Sequence, residues 1–246
     1  MVKKGDTLIE VTIAIGIFSM IAIAIASVMS SGTSGSQTAL ETTLAREEID
    51  AQAEALRFVH ASYISSRNYR NKESTDDEDT YQNLWKAITS DAINESTEYN
   101  PSSCDELYND PGDGSNQSLI QKQKAFVLNP KNLDSKDAYI SADDVRNSGL
   151  FTPTTTYPRL IFTDKDDGTG DSDSALIDSN DKLFQVAGIY VVAVQDPGTT
   201  QIAGNNNTSA FYDFYIRTCW YGTDATRPST ISTVIRLYDP DVSVSN

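Results

Sequence analysis

The chain is poor in the side chains from which most catalytic and metal sites are built. Its 246 residues hold one histidine, His60, and two cysteines, Cys104 and Cys219. A single histidine cannot supply the paired imidazoles of an HExxH zinc site. Two cysteines so far apart form no CxxC pair, so the common zinc spacings are excluded. A Ser–His–Asp or Cys–His site would have to use His60, and no GxSxG, P-loop or HExxH string accompanies it. No enzymatic activity and no cofactor are expected. Positive charge is also scarce: 19 Lys and Arg face 35 Asp and Glu, a net charge of −16. Nucleic-acid surfaces need clustered cations, so no nucleic-acid partner is expected. The acidity suits the solubility of an exposed domain and says little about fold.

What is present is a long apolar run near the N-terminus, from Leu8 to Met29, with one carboxylate, Glu10, in its first turn. About 20 apolar residues cross a bilayer core of about 30 Å. Lys3 and Lys4 precede the run, which by the positive-inside rule keeps the N-terminus cytoplasmic and sends the rest of the chain outside. A secretory signal peptide is one alternative, since Ala22-Ile23-Ala24 and Ala24-Ile25-Ala26 have the small-x-small form. The run is longer than the usual signal core of about 7–15 residues, and Glu10 interrupts its start. A plain anchor is another alternative: Thr7-x-x-Glu10 fits a capping box, which would make Glu10 a helix cap. A charge inside a membrane segment is otherwise costly and usually has a function.

The string Lys3-Lys4-Gly5-Asp6-Thr7-Leu8-Ile9-Glu10, followed by the apolar run, resembles the processing site of type IV pilins and pseudopilins. The resemblance covers about the first 30 residues. It implies cleavage by a prepilin peptidase between Gly5 and Asp6, methylation of the new amine on Asp6, and docking of subunits through Glu10. It further implies a single-pass precursor whose partners are the peptidase, other pilin or pseudopilin subunits and membrane lipid. The mature protein would stand in a cell-surface or periplasmic filament. At 26.9 kDa the chain is large for a main building block of that family, so a minor subunit is expected. Two positions depart from the pattern. Asp6 stands where the family usually has Phe, and Ser27 where many members have a helix-breaking Pro. Asp6 and Glu10, four apart, share a helix face and repel mildly, so a neighbour's ammonium has two carboxylates to choose from.

A period of 3.6 continues from Gln37 to about Tyr69. Leu40, Leu44, Ala51, Ala55 and Phe58 form one apolar stripe, and Ala45, Ile49, Leu56 and Tyr63 a second. Arg46, Glu47, Asp50, Glu54 and Arg57 fall on a polar face. The two stripes fit either two apolar partners or one broad core groove. Ser31-Gly32-Thr33-Ser34-Gly35-Ser36 is a weak spot in the helix, a hinge candidate, because glycine costs about 1 kcal/mol against alanine.

Asn71–Asp79 is a polar, acidic linker, and a short helix is expected over about Thr80–Ile93 with Leu84, Trp85 and Ile88 as its apolar face. Residues 95–118 have loop composition. Strands are expected at Arg159–Thr163, Ala175–Ile177, Lys182–Gln195, Ala210–Tyr221 and Thr230–Tyr238. Without intervening helices they favour an antiparallel meander. The fold expected is therefore α+β, a long N-terminal helix, membrane-spanning then amphipathic, packed on a C-terminal antiparallel sheet. The segments are a leader at 1–5, a transmembrane helix at 6–30, an amphipathic extension at 31–70, a linker with a short helix and loops at 71–120, and a β-rich head at 121–246.

Two further features carry chemistry. Cys104 and Cys219 are a candidate disulfide if the head is exported, the alternative being two reduced, buried thiols. The loop holding Asp164, Asp166, Asp167, Asp171 and Asp173 with Gly168 and Gly170 is a weak Ca²⁺ candidate. It lacks the ligand spacing of an EF-hand and reads first as a solvated hairpin loop. It leaves open a second function, a membrane-anchored extracellular module that binds calcium or another ligand. His60 lies on the amphipathic stretch as a surface or boundary residue. Asn94, Asn116, Asn206 and Asn207 match glycosylation acceptors, as chance allows in an Asn- and Ser-rich chain.

Overall fold

No proline precedes Pro101, and the first 68 residues are rich in Ala, Ile, Leu and Glu, so nothing forces a helix break. In the computed structural model one helix, α1, runs Asp6–Asn68. The structure describes residues 6–68, 76–94, 103–109, 117–135, 138–144, 148–162, 183–195, 211–222 and 227–239. The chain divides into two compact units, Met1–Thr42 and Thr43–Asn246.

In the first unit every residue from Leu8 to Leu40 is helical and exposed. The Ser31–Ser36 stretch does not interrupt the helix. Hydroxyls there donate back to carbonyls one turn earlier: Thr33 to Met29 O at 2.9 Å, Ser36 to Gly32 O at 3.0 Å and Thr38 to Ser34 O at 3.1 Å. Such bonds give the hydroxyls partners within the helix without breaking its backbone ladder.

In the second unit α1 turns one face to the core. Ala45, Ile49, Gln52, Leu56, Val59, Tyr63 and Ser66 are buried. They lie alternately four and three residues apart, the spacing of a continuous helical seam. Of the two stripes read from sequence, the one through Ala45, Ile49, Leu56 and Tyr63 is this seam. The other is split: Ala55 is buried, Leu44 and Ala51 are half-buried, and Leu40 and Phe58 are exposed. The polar face is exposed throughout, with Arg57 paired to Glu54.

Helix α2 spans Asp76–Ser90. It starts inside the acidic stretch expected to be linker; a carboxylate run suits the positive end of a helix. Its Leu84, Trp85 and Ile88 are buried. Trp85 joins three elements, with ring centroids 6.0 Å from Tyr63, 6.1 Å from Tyr212 and 6.0 Å from Phe214. The region expected to be loop contains α3, Asp105–Tyr108, and α4, Leu119–Lys122, follows it.

The strands are β1 (Phe126–Leu128), β2 (Tyr139–Ser141), β3 (Phe151–Thr152), β4 (Arg159–Phe162), β5 (Leu183–Ala187), β6 (Ile189–Gln195), β7 (Phe211–Tyr221) and β8 (Pro228–Tyr238). They form a five-stranded antiparallel sheet in the order β2-β1-β6-β7-β8 and a three-stranded sheet in the order β3-β5-β4. The α+β architecture, long helix and antiparallel sheet, is as expected, and β6-β7-β8 is the meander. The small sheet departs from it, because β3 and β5 are parallel.

The single strand expected over Lys182–Gln195 is two strands in two sheets. The break is Gly188, whose φ of +69° belongs to the left-handed region. A Cβ there would lie 2.5 Å from Thr154 Cγ2 and 2.7 Å from Cys219 O. In β7, Tyr212, Phe214 and Ile216 are buried while Asp213 and Tyr215 are half-exposed, the two-residue alternation of a strand with one face on the core. From Ile216 to Trp220 every residue is buried, so both faces of this half are covered. The strand expected at Ala175–Ile177 lies outside the described residues.

Candidate assembly site

The feature that sets this chain apart is α1 itself. Leu8, Ile9, Phe18, Met20, Ile23 and Val28 are each more than 60% exposed. An exposed apolar surface of that extent marks a segment that meets lipid or protein. The helix is long and apolar enough, by length and composition, to cross a membrane. Glu10 is helical and exposed, the sole ionisable side chain between Leu8 and Leu40. Asp6 is the first helical residue. Gly5 and the side chain of Asp6 lie outside the described residues, so the cleavage junction has no described geometry. Ser27, in place of a proline, lies within unbroken helix.

The second unit holds the remaining part of α1 by side chains that reach sheet backbone. Gln52 Nε2 donates to Leu128 O at 2.8 Å, and Leu128 N–H donates to Gln52 Oε1 at 2.9 Å. β1 pairs with β6 only at Phe126↔Val191, which leaves Leu128 beyond that ladder. Glu48, one turn before Gln52, accepts from the backbone N–H of Leu160 in β4, and burial pushes its carboxyl above the ordinary range. His60 Nε2–H donates to Tyr238 O at 2.8 Å, and its ring lies 5.0 Å from Trp85. The single histidine is thus a half-buried joint between helix and sheet, as its boundary position suggested. Sequence periodicity could have exposed Gln52, since it occupies a seam position; its polarity hid it.

Cys104, just before α3, and Cys219, in β7, are joined as a disulfide with Cα atoms 5.6 Å apart. The contact is reinforced by Tyr221, whose hydroxyl accepts from Cys104 N–H at 3.2 Å and donates to Asp105 Oδ2 at 3.4 Å. A second polar cluster joins the end of α2 to β2. Asp91 accepts from Lys124 Nζ at 3.0 Å and from the Tyr139 hydroxyl at 3.3 Å. Burial, with Asp91 beside it, pushes the Tyr139 hydroxyl upward. Among the described residues no group of His, Cys, Asp or Glu side chains is placed to hold a metal ion. The candidate calcium loop, Asp164, Asp166, Asp167, Asp171 and Asp173, lies outside them.

No protein-family model matches the chain, and no curated protein or solved structure matches it significantly. The architecture thus defines a protein with an exposed apolar N-terminal helix and a disulfide-bonded α+β head.

Proposed function

We infer that the chain is a subunit of a type IV pilus-like or pseudopilus filament, made as a membrane precursor. The observation that carries this is the Leu8–Leu40 stretch of α1, helical and exposed at every position, with Glu10 as its sole ionisable side chain. Lipid covers such a helix before assembly, and the helices of neighbouring subunits cover it afterwards. Lys3 and Lys4 keep the leader in the cytoplasm. The Cys104–Cys219 bond supports a head on the oxidising side.

A prepilin peptidase cuts between Gly5 and Asp6 and the amine of Asp6 is methylated. In the low-dielectric bundle, an unpaired Glu10 carboxylate is costly, and a neighbour's N-terminal ammonium offsets that cost. The subunit's work is assembly, not chemistry.

Mass determination of the mature N-terminus in a cell that carries the peptidase tests this. A chain that starts at methylated Asp6 is expected, and replacing Gly5 by a bulky residue should leave the precursor full length. A mature chain starting at Met1, Ala24 or Ser27 overturns the reading.

A further inference from the structure

Cutting after Gly5 changes the charge of the N-terminal helix as well as its length. Lys3 and Lys4 leave with the leader, and residues 6–40 hold no Lys, Arg or His. The cation that this stretch gains is the new amine on Asp6. Against it stand two carboxylates, Asp6 itself and Glu10. One ammonium and two carboxylates leave a charge of −1 at the start of α1. Asp6 opens the helix, and Glu10 follows about 6 Å along the axis, one turn on and on the same face by spacing.

The chain cannot neutralise that surplus from further along the stretch. Residues 11–40 are helical, exposed and without an ionisable side chain, over about 45 Å. The positive end of the helix macrodipole softens the charge. Every subunit that begins with a helix offers the same dipole, so it does not select among partners. The exposed apolar surface around Glu10 marks a segment that meets lipid or protein, where a charge without a counterion is costly.

Charge matching then separates the possible neighbours. Two copies of this chain bring two ammoniums and four carboxylates together, a net of −2. A neighbour with one ammonium and one carboxylate leaves −1. A neighbour with a free ammonium and no carboxylate in its first turn leaves zero, with one cation for each carboxylate. Like charges set together at a contact disfavour the wrong partner, and matched ones favour the right one.

We propose that this chain pairs, through the first turn of α1, with a different subunit. That subunit's apolar N-terminal helix carries a free ammonium and no acidic residue where this chain has Asp6 and Glu10. The inference rests on the filament reading and narrows its partner: copies of this chain disfavour one another and do not polymerise alone.

The test uses the full chain, co-expressed with a prepilin peptidase, purified and placed in phosphatidylcholine vesicles. The stand-in for the partner is the same chain with both Asp6→Asn and Glu10→Gln, whose cut N-terminus carries a net positive charge. Both native cysteines are in the disulfide, so Thr230→Cys gives each form one free thiol for a donor or acceptor dye. Energy transfer between the dyes reads association. Wild type is expected to bind the doubly substituted chain roughly tenfold more tightly, or better, than either form binds itself. Wild type mixed with Asp6→Asn alone, or with Glu10→Gln alone, should fall between. Equal association in every mixture, or wild type that prefers its own copies, overturns the proposal. So does a doubly substituted chain that binds itself as tightly as it binds wild type, because loss of carboxylates and not charge matching would then be the cause. Mass determination of each preparation separates this inference from the reading beneath it. Wild-type copies that keep residues 1–5 overturn the filament reading and the pairing with it. Cut copies that show no preference overturn the pairing alone.

Discussion

Gln52 occupies both backbone groups of Leu128 at once, its amide N–H at 2.8 Å from the carbonyl and its amide oxygen at 2.9 Å from the N–H. A primary amide has the donor and acceptor this requires; no carboxylate or aliphatic side chain of similar size has both.

Gln52→Leu should therefore cost the head about 2–4 kcal/mol, because two buried backbone groups are left unpaired. Gln52→Glu keeps the shape but cannot donate when ionised, so it should be destabilised at neutral pH and partly recover in acid. Denaturant midpoints at the two pH values check both.

Glu48 predicts a pH trend of definite sign. Burial, the largest influence, raises its folded-state carboxyl above the ordinary 4.5; the Leu160 N–H opposes this and Glu47 adds to it. A raised acid binds its proton more tightly in the folded protein. Its contribution is fully present below the unfolded value and is lost as pH rises through the folded one. Glu48→Gln keeps an acceptor for Leu160 and removes the charge. It should be more stable than wild type near neutrality, with a flatter stability profile above pH 4.5. A parallel pair of thermal-melt profiles against pH would show otherwise if Glu48 were inert.

Gly188→Ala should disrupt the switch between the two sheets. The backbone conformation alone disfavours a side chain by about 1–3 kcal/mol. The new methyl also meets Cys219 O at 2.7 Å, and that main-chain atom cannot rotate away. A lower melting temperature with retained helix content is the expected result.

For Glu10 the expected loss is in assembly, not in head stability. Glu10→Gln should insert in membranes at least as well as wild type yet enter filaments poorly. Asp6→Asn tests the competing carboxylate. Normal incorporation of both variants would reduce Glu10 to a helix cap.

The parts of this fold that were legible in the sequence are those with a strong period. α1, the Leu84–Trp85–Ile88 face of α2, and the alternation of β7 are all visible as spacing. The three shortest strands were not. Phe126, Val127 and Leu128 are all buried, so β1 shows no alternation, and β2 and β3 are too short to carry a period. Gly188 sits in an otherwise unbroken β-rich run, and only its φ reveals that the chain changes sheets there. Gln52 and Glu48 look like surface residues by type. Their role depends on Leu128 and Leu160, distant in sequence. Of the candidate assembly site, the apolar run and Glu10 could be read directly, since neither needs a tertiary partner to be recognised.

The Cys104–Cys219 bond closes a loop of 115 residues that contains α3, α4 and β1 through β6. A single proteolytic nick anywhere inside it leaves two fragments that travel together until reductant is added. A nick before Cys104 or after Cys219 gives a piece that separates on a denaturing gel without reductant. A gel run with and without reductant therefore maps any cleavage to the inside or outside of that ring. The same topology means that the ring closes only after most of the chain has emerged, because its second cysteine lies in the next-to-last strand.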